Sequence, residues 1–260
     1  MHTIVYDGSF EGWLTAVFEV YEYKTETAVI YRNTEVLPGL FGENRVVITQ
    51  AAKAERVYQK LKKQLTPAAL QQVYKTFLSE VPGIENHLLA YVKYVLAANG
   101  FVENNYGHPE VLVIQQTSRK VQREKHRMEA FVRFQLTKDG LYYSVIQPDY
   151  NVLPLINRHF TERYADQRWL IYDTKRSYGL YYDLSTTSEV QLNFSIDRGN
   201  SKSLAAVYDD QEILYQQLWQ RYFSSVNIAA RKNTKLHIQH MPQRYWRFLT
   251  EKMPVTNFLQ

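Results

Sequence analysis

Apolar residues recur at helical spacing through the first half of the chain. Phe10, Leu14 and Val17 follow Ser9, a residue type that caps helices well, so the pattern predicts a helix that continues to about Tyr23. Further helices are predicted over residues 51–65, 67–79, 85–98 and 109–126. Thr66-Pro67 fits the N-cap and first position of the second of these, and Pro109 fits the start of the last. A short strand is predicted over residues 3–6, and residues 46–49 are predicted to be a short strand or the lead-in to a helix. Residues 25–44 are predicted to be irregular.

The spacing of apolar positions changes to a period of two after Arg127. Ala130, Val132 and Phe134 alternate with Phe131, Arg133 and Gln135, which is strand spacing. Asp139-Gly140 then predicts a hairpin to a return strand. The other predicted elements are strands over residues 141–146, 168–173, 178–184 and 190–196, and helices over 152–164, 211–223 and 242–249. Strands joined by short polar turns are typical of an antiparallel sheet.

These elements predict an α+β fold in two parts. A mainly helical N-terminal lobe with an N-terminal strand occupies residues 1–127. An antiparallel sheet with packed helices, a C-terminal helix and a basic tail occupies residues 128–260. A chain of 260 residues with 45% hydrophobic residues is large enough to form two packed domains.

Composition excludes several classes of chemistry. The chain contains no cysteine, which excludes disulfides, thiolate metal sites and a cysteine nucleophile. No Walker loop or dinucleotide fingerprint is present, and His237 and His240 have no carboxylate near them in sequence. We therefore predict neither a metal nor another cofactor. The chain begins without a signal-peptide pattern, and no apolar run approaches the ~18 residues of a membrane span, so the prediction is a cytoplasmic protein without membrane contact.

A basic and aromatic segment near the C-terminus is the most distinctive stretch. No Asp or Glu occurs from Ile213 to Thr250, and the net charge of the chain is +5. Cations in such a segment attract phosphates, and the rings between them can stack on bases. The predicted nucleic-acid-binding residues here are Arg231, Lys232, Asn233, His240, Arg244, Tyr245 and Trp246. The alternative is a solvated basic tail that docks on its own domain.

A second concentration of cations lies on the predicted helix 109–126. Arg119, Arg123 and Arg127 are four residues apart and so form one stripe along a helix. The stripe is a candidate polyanion contact, and the alternative is an ordinary solvated helix face.

Four residues are candidates for acid–base chemistry. Asp7 follows the first strand, His126 and His159 each adjoin an arginine, and Asp173 ends the strand 168–173. A histidine near a carboxylate can transfer protons. The alternative is packed histidines and surface ion pairs. Asp7 also precedes a helix start, where it could serve a polar ligand or only the local turn.

Four blocks of the chain resemble a bacterial domain family of unknown function whose members are described as DNA metabolism or repair proteins. The blocks are YDGSFEGWLTAVFEVYE, HRMEAFVRFQ, NVLPLINRHFTERYADQRWLIYD and RYFSSVNIAARKNTKLHIQHMPQRYWRFLTE. Members of that family occur beside a radical-SAM DNA-modification or repair protein, and a similar domain is fused to uracil-DNA-glycosylase-like domains. The resemblance implies a role on DNA with that partner, but it supplies no catalytic residues.

Three functional hypotheses follow from these observations. The first is a DNA-repair protein that binds DNA through its basic, aromatic segments and acts with a radical-SAM partner. The second is a metal-independent DNA-processing enzyme of the glycosylase or lyase type. The third is a protein-interaction scaffold without DNA contact.

Overall fold

The structure is a computed structural model that describes residues 2–25, 27–33, 44–98, 100–191, 215–220 and 234–252. The chain divides into two compact units, Met1–Gln122 and Arg123–Gln260. The long helix α5, Pro109–Phe131, contains this division. The domain boundary that the sequence predicts after Arg127 also falls within this helix, and that boundary stays a prediction.

The first unit is built around a small parallel sheet. Strand β1 lies at its centre, with β2 on one side and β3 on the other. Helix α1 connects β1 to β2, and such a crossover allows the two strands to run parallel. The elements before α5 are β1 His2–Tyr6, α1 Phe10–Glu22, β2 Ala28–Arg32, β3 Asn44–Val46, α2 Ala51–Gln64, α3 Pro67–Phe77 and α4 Ile84–Ala97.

Local capping signals placed the starts of helices α1 and α3 correctly. Ser9 caps α1 by accepting a hydrogen bond from the Gly12 N–H, and Thr66 caps α3 in the same way from Ala69. Strand β2 was missed, because residues 25–44 were predicted to be irregular. Its edge is completed by a side chain from α4, as Asn86 bonds both the N–H and the carbonyl of Ile30. That partner is distant in sequence, so no local pattern indicates it.

Helix α5 continues five residues beyond its predicted end. The strand predicted over residues 130–135 is therefore wrong in its first part, and β4 comprises only Gln135–Leu136. Val121, Glu124 and Met128 are buried at helical spacing, which continues the buried face of the helix into the short apolar run. An apolar run of this length fits both the helical period of about 3.6 residues and the strand period of about 2, so packing decides between helix and strand.

The second unit contains a five-stranded sheet in the order β4-β5-β6-β7-β8. Its elements after α5 and β4 are β5 Tyr142–Ile146, α6 Leu153–Arg163, β6 Trp169–Asp173, β7 Tyr178–Tyr182, β8 Thr187–Val190, α7 Thr234–His240 and the 3-10 helices Gln243–Phe248 and Thr250–Lys252. Residues 215–220 are also helical.

The α+β class is confirmed, but the second sheet is mixed and not purely antiparallel. Strands β5 and β6 pair in parallel, and the remaining neighbours are antiparallel. The parallel pair follows from helix α6, which carries the chain back across the sheet. The hairpin at Asp139-Gly140 is confirmed, and Gly140 has the positive φ of 74° that this turn needs. Strand β8 ends at Val190, and residues 192–214 lie outside the described residues.

The core of the second unit centres on β6. All five residues of this strand are buried, because the sheet is covered on both faces at this position. Trp169 lies against Phe134, Phe160 and Tyr182, with ring centroids 5.5–6.4 Å apart. Phe134 and Phe160 also face the cleft described next, so the core supports the candidate site directly.

Candidate functional site

A cleft with a volume of about 760 Å³ opens in the second unit, and we call it the aromatic cleft. Its walls come from the C-terminal end of α5, from β4 and β5, from α6 and from the helical residues 215–220. Small-molecule sites occupy roughly 300–1,000 Å³, so this volume is sufficient for a compact organic ligand.

Packed rings form the inner wall of the aromatic cleft. The ring of Phe134 meets Tyr164 edge to face at a centroid distance of 5.2 Å, and Phe160 lies nearly parallel to Tyr164 at 6.1 Å. Edge-to-face and offset contacts of this kind hold rings in fixed orientations. The wall is therefore a rigid, apolar surface.

Trp219 contributes a positioned ring on another side of the aromatic cleft. Its indole N–H donates to a carboxylate oxygen of Glu251 at 3.0 Å, and 40% of the residue is exposed. Arg133 forms two hydrogen bonds to the same carboxylate, at 2.8 and 3.3 Å, and its guanidinium lies 5.8 Å from the Trp219 ring centroid. Burial raises the pKa of Glu251, but its hydrogen bonds, first among them those from Arg133, and the charge of Arg133 together outweigh burial and lower the pKa, so this acid stays ionised.

His159 and Glu129 also line the aromatic cleft. The His159 Nδ1 atom lies 3.9 Å from Glu129 Oε1, and 37% of the histidine side chain is exposed. The same carboxylate accepts a 2.5 Å hydrogen bond from Lys125. His126 lies 3.8 Å from the other oxygen, but it is 82% exposed and does not line the cleft. Of the two candidate histidines, His159 is thus the one in a cleft beside a carboxylate.

The other candidate acids have different surroundings. Asp173 is fully buried and bound by Arg176 at 2.8 Å, which is a structural role and corrects its assignment as a catalytic acid. Asp7 lies at the end of β1 and accepts hydrogen bonds from Ser9 and from Thr49. Burial raises the pKa of Asp7, but these hydrogen bonds outweigh it and lower the pKa, so Asp7 is a poor proton donor.

A buried network holds two residues of the C-terminal segment. Glu124 is 1% exposed and accepts hydrogen bonds from the Tyr245 hydroxyl at 2.6 Å and the Asp149 N–H at 2.8 Å. Arg244 lies 2.7 Å from Asp149 and 3.5 Å from Glu124. Tyr245 is only 2% exposed, so its predicted stacking on a base is wrong. A phosphate contact by Arg244 has to compete with these partners and stays a prediction.

The remaining predicted nucleic-acid-binding residues differ in exposure. Arg119, Arg123 and His240 are exposed, whereas Arg127 is half-buried and lies 3.6 Å from Glu124. Trp246 is half-buried and donates its indole N–H to the Met241 carbonyl. The calls on Arg231, Lys232 and Asn233 lie outside the described residues. The structure therefore leaves the exposed residues as the stronger candidates.

The aromatic cleft contains functional candidates that sequence reasoning missed. These are Arg133, Arg163, Tyr164, Glu129 and Trp219. Two sequence blocks, HRMEAFVRFQ and NVLPLINRHFTERYADQRWLIYD, include all of them except Trp219. These blocks carry the family resemblance, but nothing in their spacing shows that α5 and α6 face one cleft.

The described part of the chain contains no cluster of three or more His, Asp or Glu residues arranged to hold a metal ion. Among its helices, none combines the length and the apolar character that spanning a bilayer requires.

Comparisons with known proteins identify the family of the chain and a weak structural similarity. Residues 82–251 match the family model described as Domain of unknown function, DUF4130. No curated protein is significantly similar to this chain. Among solved structures, a pGpG-specific phosphodiesterase, PggH from Vibrio cholerae, is 10% identical, with 69% of this chain and 80% of that chain covered. Its TM-score of 0.28 is too low to support an argument about fold or function.

Proposed function

The chain belongs to the DUF4130 family, whose matched region contains the aromatic cleft and α5, and we propose that it is a DNA-binding protein of DNA metabolism or repair. In this proposal Arg119 and Arg123 contact phosphates, together with Arg231 and Lys232 of the C-terminal segment. The observation that carries the proposal is the group of exposed cations on α5.

The surroundings of the α5 cations distinguish them from structural ones. In the described residues, Arg119, Lys120 and Arg123 have no carboxylate within 4.0 Å. On the same helix Lys125 is paired with Glu129, and Arg127 lies near Glu124. Cations without acidic partners produce a positive potential that attracts phosphates. The three exposed cations are thus available for a polyanion.

The proposed partner is a radical-SAM DNA-modification or repair protein. This part of the proposal rests on the resemblance of the sequence blocks to the family. The proposal requires that the two proteins associate directly or through DNA. Co-purification with and without nuclease treatment tests it. Association that survives nuclease and high salt, without oligonucleotide binding by this chain, would support the scaffold hypothesis instead.

Replacing Arg119 and Arg123 together with glutamine is expected to weaken DNA binding at every sequence tested. The slope of log affinity against log salt should become shallower by about 2, because each phosphate contact contributes about one unit. Fluorescence anisotropy with a labelled duplex over a salt series measures this slope. The control is Lys60→Gln with Lys63→Gln, which removes two exposed charges from α2. Equal slopes for the wild type and the α5 variant would refute the proposed contact.

A second candidate function, a metal-independent DNA-processing enzyme, is favoured by the position of His159. This histidine and Glu129 line the same cleft, 3.9 Å apart. A histidine beside a carboxylate can act as a general acid or base, which contributes about 10²–10⁴-fold to rate. The side chain of His159 is accessible from the cleft, so a substrate bound there could reach it.

His159→Gln is the variant that tests this second function. If the chain is an enzyme, the purified protein releases product from one of a panel of lesion-containing oligonucleotides, and the variant slows release about 10²–10⁴-fold. His126→Gln is the matched control, because it lies equally near Glu129 but outside the cleft. Binding without turnover across the panel would favour the DNA-binding role alone.

A further inference from the structure

We propose that the aromatic cleft receives one unpaired nucleotide, with its base against Trp219 and its phosphate at Arg163. This inference rests on the proposed DNA-binding function and deepens it by naming the ligand of the cleft. An unpaired nucleotide can belong to a DNA strand or be free in solution, and both share the chemistry that the cleft offers.

The first step of the argument is the ring of Trp219. A base stacks well on an aromatic ring that is partly exposed and held in place, because little freedom is lost on binding. Trp219 is 40% exposed, and its hydrogen bond to Glu251 fixes one edge of the indole. Glu251 is held in turn by Arg133. The exposed ring is therefore preorganised by an ion pair whose carboxylate is buried.

The second step is the charge balance of the aromatic cleft. Its Arg133 is paired with Glu251, and its Glu129 is paired with Lys125. Arg163 is exposed and contacts Tyr164, to whose hydroxyl it donates a hydrogen bond at 3.4 Å. Among the described residues it has no carboxylate within 4.0 Å. Since the other charges described at the cleft cancel in pairs, Arg163 leaves a net positive charge among the described lining residues.

The third step is the combination of these features in one volume. Rings, one cation without an acidic partner and amide groups such as Gln167 all line the same space of about 760 Å³. A nucleotide carries the three matching parts, which are a flat base, an anionic phosphate and hydrogen-bonding base edges. An acidic peptide could pair with Arg163, but it has no base to stack on the exposed ring of Trp219.

Comparing two single-stranded probes tests this inference. One is an oligonucleotide, and the other has the same backbone with a stable abasic analogue in place of every base. The wild type should bind the first probe about 5- to 150-fold more tightly, which corresponds to roughly 1–3 kcal/mol for one stacked base. Trp219→Ala should reduce this ratio towards one without changing the affinity for the abasic probe. Trp219→Phe should retain most of the preference.

Arg163→Gln gives an independent readout at the surface of the aromatic cleft. The substitution should weaken the binding of both probes equally, and it should make the slope of log affinity against log salt shallower by about 1. Arg158→Gln is the matched control, because Arg158 is an exposed arginine on the same helix that does not line the cleft. Deoxynucleoside monophosphate as competitor distinguishes the sources. Competition supports a free nucleotide as ligand, and its absence alongside a base preference supports a nucleotide within a strand.

Two outcomes overturn the inference alone, and a third overturns the proposed function as well. Equal wild-type affinity for both probes would overturn it, and so would a base preference that Trp219→Ala leaves unchanged. Either result, with salt-dependent DNA binding intact, leaves the proposed function standing. If neither probe nor a duplex binds, the proposed function fails and the inference fails with it.

Discussion

Methionine in place of Arg176 is expected to lower the free energy of unfolding of the second unit by about 3–5 kcal/mol. Asp173 is 0% exposed, and the Arg176 guanidinium lies 2.8 Å from its carboxylate. The same guanidinium also donates to the carbonyls of Pro148 and Asp149. Removing it leaves a buried carboxylate without its cation, and the solvation that the carboxylate lost on folding is no longer offset.

Urea unfolding of Arg176→Met and of Asp173→Asn with Arg176→Met measures this effect. The double variant should recover much of the lost stability, because no charge is then left buried. If the double variant is no more stable than Arg176→Met, then Arg176 acts through its contacts to the two carbonyls and not through the charge of Asp173.

The pH dependence of the Arg176→Met effect has a definite sign. Burial raises the pKa of Asp173, and Arg176 partly opposes this rise, so the pKa should rise further without the arginine. The unfolded-state pKa of an aspartate is about 3.9, and the folded-state pKa lies above it. The contribution of Asp173 to the free energy of unfolding is therefore complete below the unfolded-state pKa and is lost as the pH rises through the folded-state pKa. The loss relative to wild type should therefore be smaller at low pH than at neutral pH. An equal loss at both would contradict this account.

Alanine in place of Glu124 is expected to cost the second unit about 2–4 kcal/mol. The carboxylate accepts two charge-assisted hydrogen bonds, from the Tyr245 hydroxyl and the Asp149 N–H, and each such bond is worth about 1.5–3 kcal/mol. The hydroxyl is buried, so water cannot replace the lost acceptor. Arg244 is 45% exposed and can be rehydrated, which keeps the cost below that of a fully buried ion pair.

Chemical denaturation of Glu124→Ala, Tyr245→Phe and Arg244→Gln ranks these contributions. Tyr245→Phe should cost less than Glu124→Ala, and Arg244→Gln should cost the least. Burial, followed by the hydrogen bond to Glu124, raises the pKa of Tyr245. Its contribution is thus complete below the unfolded pKa of about 10 and is lost as the pH rises above that value. Tyr245→Phe should therefore show a shallower loss of stability above pH 10 than the wild type, and an unchanged slope would contradict the assignment.

The same variants decide what Arg244 does. If it only supports the buried network, Arg244→Gln lowers stability and leaves the salt slope of DNA binding unchanged. If it also contacts phosphate, the slope becomes shallower by about 1.

The candidate site could be predicted from the sequence only in part. His159 was selected because it adjoins an arginine and precedes a possible acid, but its carboxylate partner is Glu129, thirty residues earlier. Asp173 is a candidate because it ends a predicted strand, but in the structure its side chain is fully buried. Local sequence shows which side chains can transfer protons, but not which of them solvent can reach.

Tyr245 shows the same limit for the basic segment. The unbroken run without acids from Ile213 to Thr250 suggested a surface that faces a polyanion. The acid that binds Tyr245 and approaches Arg244 is Glu124, 121 positions before Tyr245 in the chain. A charge pattern read along the chain omits partners that only folding supplies.

The sequence by itself determined the elements whose causes are local. Ser9 and Thr66 cap their helices within one turn, Asp139-Gly140 makes its hairpin, and the absence of cysteine excludes a whole class of chemistry. Only the tertiary structure decided that β5 and β6 are parallel, that α5 continues to Phe131 and that α5, α6 and Trp219 enclose one cleft. The physical reason is range. Caps and turns depend on hydrogen bonds between residues a few positions apart, whereas burial, ion pairing and the shape of a cleft depend on residues that meet only after the chain has folded.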